Sequence, residues 1–176
     1  IAIITGGASG IGKSAGEIFA REGATIVVAD MNPDAIQRTV QEFTAKGFKA
    51  IGQVCDVTDR SQTQAMVKDV VGQVGRIDIL INNAGISRYR PFAETTSEDW
   101  NAVLDVDLKG VFFCAQAVAP QMVAQGYGRI VNISSALGTG AAPHGTAGSP
   151  GGSSAYAAAK AGVIMLTKTL ARELGP

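Results

Sequence analysis

The sequence predicts an α/β fold built on a doubly wound parallel sheet. Short β-rich runs alternate with helical patterns five times along 176 residues. The strand runs are almost continuously apolar, which suits strands covered by helices on both faces. In such sheets ligands bind beyond the carboxyl ends of the strands, and Gly, Asn, Asp and Ser gather after each apolar run here.

The elements follow in order. IAIIT reads as the first strand, and GIGKSAGEIFAREG as a helix starting near Gly10. TIVVAD is the second strand, ending on Asp30, with a helix over 33–46. KAIGQVC is the third, followed by Asp56 and a helix over 58–74. IDILINNAG supplies the fourth strand and the N-N-A-G turn at 82–85. A long helix over 97–124 begins with capping-box-like spacing at Thr96 and Asp99. GRIVNISS is the fifth strand, ending on Ser134 and Ser135, and a last helix covers 154–174. Residues 138–153 hold six glycines and two prolines and are expected to be a loop without secondary structure. That loop carries the sole histidine, His144, which is read as solvated. No repeat or charged linker divides the chain, so one domain over 1–176 is expected.

Fifteen basic residues balance fifteen acidic ones with no basic run, so the field that nucleic-acid binding needs is missing. Cys55 and Cys114 each lie in an apolar segment and read as buried thiols of a reducing compartment, with no metal site. The absence of a membrane-length apolar run or signal-peptide pattern gives the expectation of a cytoplasmic protein without a membrane partner.

TGGASGIGKS, residues 5–14, fits two phosphate-binding patterns. From Gly7 it is the G-x-x-x-x-G-K-S of nucleotide triphosphatases, with Lys13 on phosphate and Ser14 on magnesium. From Thr5 it is T-G-x-x-x-G-x-G, a turn suited to a dinucleotide pyrophosphate. Either reading places an anion at the positive end of a helix. In the dinucleotide reading Asp30, about 20 residues on, accepts hydrogen bonds from the adenosine ribose and repels a 2′-phosphate. Met31 and Ser9 stand where an Arg would favour NADP, so NAD is favoured. The stretch alone leaves both readings open.

Distant residues bear on the choice. Tyr156 and Lys160 form Y-x-x-x-K, which puts both on one helix face. A neighbouring ammonium favours a phenolate and brings Tyr156 closer to acid-base work at neutral pH. Asp107 interrupts the apolar stripe Trp100, Val103, Leu104, Val111, Ala115 and Val118, where a carboxylate is costly unless paired.

Taken together, T-G-G-A-S-G-I-G at 5–12, C-D-V at 55–57, N-N-A-G at 82–85, I-V-N-I-S-S at 130–135 and Y-A-A-A-K at 156–160 resemble the short-chain dehydrogenases/reductases. The resemblance implies a Rossmann-like fold and an NAD cofactor with its pyrophosphate on Gly6, Ser9, Gly10, Ile11 and Gly12. It puts the adenosine ribose on Asp30, the adenine near Asp56 and Val57, and Asn83, Ala84 and Gly85 along the cofactor. Tyr156 is implied as general acid and base, Lys160 as the group that lowers its pKa and holds the nicotinamide ribose, and Ser135 as the group that fixes the substrate oxygen. The implied substrate is a secondary alcohol or its ketone, including 3-oxoacyl or hydroxyacyl groups, handled by a homo-dimer or homo-tetramer.

Three departures stand out. Asp107 occupies the position where the family commonly has an Asn that relays protons to the Lys. Ser135 and Tyr156 are 21 positions apart, more than in most members. The family also continues beyond the point where this chain stops, so a fold truncated after the fifth strand and its following helix, without its C-terminal substrate segment, is expected. The competing readings are a non-catalytic dinucleotide-binding module and a P-loop ATPase or kinase. Arg88 and Arg90, after N-N-A-G, border the pocket in this reading and are taken as solvated.

Overall fold

A computed structural model describes residues 1–140 and 154–175. Five strands, β1 (Ala2–Thr5), β2 (Ile26–Asp30), β3 (Ala50–Val54), β4 (Ile79–Asn82) and β5 (Arg129–Asn132), form one parallel sheet in the order β3-β2-β1-β4-β5. Between them run α1 (Gly10–Arg21), α2 (Pro33–Ala45), α3 (Arg60–Val74), α4 (Ser97–Leu104) and α5 (Val111–Ala124), and α6 (Ser154–Leu174) follows β5.

The sheet is wound on both faces, as expected. On β1, Ile3 packs into a core with Met66, Val67 and Val70 of α3 and Cys114, Val118 and Met122 of α5. Its neighbours Ala2 and Ile4 point the other way, into a core with Ala20 of α1 and Ile36 and Phe43 of α2. This period of two along a strand buried on both sides explains why the run reads as continuously apolar. Registers such as Ile3↔Val27 and Ile3↔Leu80 hold β1 at the centre.

Strand order reverses between β1 and β4. The glycine turn after β1 and the N-N-A-G turn after β4 therefore flank the crevice where such sheets bind ligands. β5 is an edge, with Val131 44% exposed, above a groove of about 630 Å³ lined by Met122, Tyr127, Ile130, Thr167, Leu170 and Leu174.

Two expectations are corrected. The helix over 97–124 is not uniform: a π-helical turn, Asp105–Gly110, separates α4 from α5. Such turns widen the backbone spacing by one residue and re-aim a side chain, and Asp107 sits in this one. The glycine-rich segment also begins in structure, since Ala136–Thr139 form a 3-10 turn. Gly138 packs so closely on α6 that a Cβ would lie 2.7 Å from the Lys160 carbonyl carbon. Residues 141–153, His144 included, lie outside the described residues.

Candidate active site

Three helices carry side-chain caps: Asn32 on α2, Asp59 on α3 and Thr96 on α4. α1 differs. Ser9 stands at its N-cap position with no side-chain hydrogen bond, and its first turn holds no acidic residue. Ser9, Gly10 and Ile11 are exposed, Ile11 at 71%, and nothing lies within 4 Å of a Cβ built on Gly10. Unpaired N–H groups at the positive end of a helix form an anion-binding surface.

The turn is built for close approach. Gly6 and Gly10 have φ of 62° and 51°, a conformation that favours glycine. A Cβ on Gly12 would lie 2.4 Å from the Gly6 carbonyl oxygen and 2.5 Å from Asn83 Nδ2. Thr5 Oγ1 accepts from the Asn83 and Ala84 amides at 3.0 and 3.1 Å, while Asn83 Nδ2 donates to the Thr5 and Gly6 carbonyls. Thr39 on α2 donates to the Ala8 carbonyl at 3.1 Å. Asn83 thus turns its side chain into the glycine turn and braces it. Thr5 opens the T-G-x-x-x-G-x-G pattern, but its hydrogen bonds from Asn83 and Ala84, like the brace from Thr39, are revealed only by three-dimensional proximity.

Asp30 lies beside the same turn. Its Oδ2 accepts from the Ala8 amide at 3.3 Å and its Oδ1 from the Asn32 amide at 3.1 Å. Beyond β3, Asp56 Oδ1 accepts from the Thr58 amide and hydroxyl, and Val57 is buried against Gly110. Lys13 turns away from the glycine turn and pairs with Glu42 on α2 at 2.6 Å. The pair joins α1 to α2.

The second cluster comes from four elements. Ser135, after β5, accepts from the Leu137 amide at 3.3 Å and shares a side-chain hydrogen bond with Tyr156 on α6. Lys160, one turn along, is 3% exposed and donates to the Ile133 carbonyl at 3.0 Å. Its Nζ lies 5.5 Å from the Tyr156 ring centre and 3.1 Å from Asp107 Oδ2. The contact with Oδ2 is one of charge without hydrogen-bond alignment, because that oxygen has no hydrogen-bond partner. Asp107 Oδ1 accepts from the Ile86 amide at 2.7 Å. Ser134 donates to the Lys160 carbonyl at 2.8 Å and so buttresses α6.

The Tyr156 phenol is held above its ordinary value. Burial is the largest cause; the Ser135 hydrogen bond opposes it, and the charges of Asp107 and Tyr89 add to it. Tyr89, in the loop after N-N-A-G, is a site neighbour that the sequence does not single out. Arg90 in that loop is ion-paired with Asp99 while its side chain stays 53% exposed.

Comparison with known proteins agrees with this arrangement. The family model for short chain dehydrogenases matches residues 1–176. The chain belongs to the short-chain dehydrogenase/reductase family. Within that family it is 45% identical over 174 residues to the 3-oxoacyl-[acyl-carrier-protein] reductase FabG of Thermotoga maritima, covering 99% of this chain and 68% of that one. It is 42% identical over 175 residues to (2S)-[(R)-hydroxy(phenyl)methyl]succinyl-CoA dehydrogenase subunit BbsD of Thauera aromatica, covering 99% and 67%. The crystal structure of NAD+-bound xylitol dehydrogenase superimposes with a TM-score of 0.91 at 35% identity, covering 99% of this chain and 65% of that one. A short-chain type dehydrogenase/reductase from Mycobacterium marinum gives the same TM-score at 37% identity, covering 99% and 69%. The chain thus spans about two thirds of the length of the relatives it matches.

Among the described residues, no helix is long and apolar enough to cross a membrane, and no group of three or more His, Cys, Asp or Glu could hold a metal ion.

Proposed function

We propose that this chain is the coenzyme-binding and catalytic domain of an NAD(H)-dependent oxidoreductase acting on a secondary alcohol or its ketone. A 3-oxoacyl or hydroxyacyl group is the favoured substrate class, supported by similarity to relatives whose names specify an acyl-carrier-protein and a coenzyme A substrate. The observation that carries the reading is the convergence of Ser135, Tyr156 and Lys160 beside the switch point of the sheet.

The uncapped α1 N-terminus and glycine turn suit the pyrophosphate, and the Asp30 carboxylate beside the turn suits a ribose with free hydroxyls. We assign the adenine side to Asp56 and Val57, and the face of the cofactor towards the substrate to Ala84 and Gly85. When bound, the nicotinamide ring supplies or accepts the hydride. In reduction Tyr156 gives its hydroxyl proton to the carbonyl oxygen as hydride reaches the carbonyl carbon, and in oxidation the phenolate takes that proton back. Ser135 would hold the substrate oxygen, and Lys160 would hold the nicotinamide ribose. Phe112 and Met165, exposed on α5 and α6, support a homo-dimer or homo-tetramer through those helices.

The test is hydride transfer from NADH to a panel of ketones, with Tyr156→Phe as control. Turnover should fall by about a hundredfold or more in the variant, while NADH still raises the melting temperature. NADH binding without turnover in the native chain would assign a coenzyme-binding module instead. Stabilisation by Mg-ATP alone would assign the nucleotide-triphosphatase reading, which the Lys13–Glu42 pair disfavours.

A further inference from the structure

The Asp107 carboxylate cannot swing. Its Oδ1 is held by the Ile86 amide at 2.7 Å, and Gly85 approaches so closely that a Cβ there would lie 2.9 Å from Oδ2. The π-helical turn aims it at Lys160, whose Nζ is engaged by the Ile133 carbonyl at 3.0 Å and by Oδ2 at 3.1 Å. Both side chains are buried, at 0% and 4% exposure. Seen from the phenol, a cation matched at this distance is a dipole, whose field falls off faster than that of a bare charge.

We propose that Asp107 is a positioning residue that matches the Lys160 charge and keeps Tyr156 a proton donor at neutral pH, so that the site protonates carbonyl substrates and oxidises alcohols only on the alkaline side. The chemical meaning rests on the proposed function; the charge relationship does not.

Among the described residues, four groups bear on the charge of the phenol. Lys160 faces it from its own helix, Asp107 from the π-helical turn, Tyr89 from the loop after β4, and Ser135 from the turn after β5. α4 packs there through Val103 and Leu104, which carry no charge. The Ser135 hydroxyl pulls towards the phenolate, while burial, the largest cause, and the charges of Asp107 and Tyr89 push against it. An amide at position 107 keeps the shape and leaves the Lys160 charge unmatched, which favours the phenolate.

The chain has three tyrosines, so Tyr89→Phe with Tyr127→Phe leaves Tyr156 as the sole phenol. Its titration is read by near-ultraviolet phenolate absorbance on the intact chain, without coenzyme or substrate. The midpoint is expected above the ordinary value of about 10, lower in Asp107→Asn and retained in Asp107→Glu. Each pH unit by which it falls raises the phenolate fraction at neutral pH about tenfold, and the alkaline limb of ketone reduction should move with it. An unchanged or higher midpoint in a folded Asp107→Asn chain overturns the proposal. So does a parent midpoint at or below the ordinary value, which needs no change at position 107. Absence of hydride transfer overturns the activity reading instead, since the titration requires no turnover.

Discussion

Lys160 and Asp107 form a buried ion pair, Nζ to Oδ2 3.1 Å, that joins α6 to the π-helical turn after α4. Taking both charges out of water is costly, and the pair is held by the Ile133 carbonyl on one side and the Ile86 amide on the other. Losing one partner strands the other in a low-dielectric site.

Lys160→Met should therefore destabilise the chain by about 3–5 kcal/mol in urea unfolding. Adding Asp107→Asn to that variant should recover a large part of the loss. A double variant as unstable as the single one would show that the stranded carboxylate is not the cause.

Gly12→Ala should lower the melting temperature and abolish NADH binding, because its Cβ would lie 2.4 Å from the Gly6 oxygen and 2.5 Å from Asn83 Nδ2. Gly72→Ala in α3 is the matched control: nothing lies within 4 Å. There the helix propensity of Ala should add up to about 1 kcal/mol. Equal effects at the two sites would refute the close approach.

Coenzyme choice rests on Asp30. The native chain should bind NADH more tightly than NADPH, and Asp30→Ala should weaken NADH by about tenfold or more, the scale of a hydrogen bond to a charged group. Fluorescence titration with both coenzymes reads this directly. Equal affinity of the native chain for the two would remove Asp30 from the ribose.

The two thiols give the pH dependence. Burial raises Cys55 from 9.0 to about 11 and pushes Cys114 upward as well, with the two close enough that the charge of one disfavours that of the other. The folded chain then keeps protons that the unfolded chain releases, so this contribution is full below pH 9.0 and is lost as pH rises towards 11. Urea midpoints should fall across that window, and the fall should be shallower in a Cys55→Ala, Cys114→Ala chain. Both thiols should resist alkylation until the protein unfolds.

Much of the fold was legible. The apolar runs placed every strand, the helix over 154–174 has the expected bounds, and Thr96 accepts from the Asp99 amide as the capping pattern implies. The long helix was misjudged as uniform because its apolar stripe hardly changes phase across a single widened turn. In the candidate site, Tyr156 and Lys160 were visible because both lie on one helix, where spacing alone puts them on one face. Thr39 and Tyr89 were not, since their partners come from other parts of the chain.

By itself the sequence determined the parallel sheet, the glycine turn that needs residues without side chains, and which groups stand at the ends of strands. Those follow from local periodicity and backbone sterics. Only the tertiary structure decided what the charges do. It drew Lys13 to Glu42, turned Asn83 into the glycine turn, set Asp107 against Lys160, and buried the Tyr156 phenol so that it is held above its ordinary pKa. Electrostatic effects depend on distance and burial between residues far apart in the chain, and neither quantity is written in the order of the amino acids.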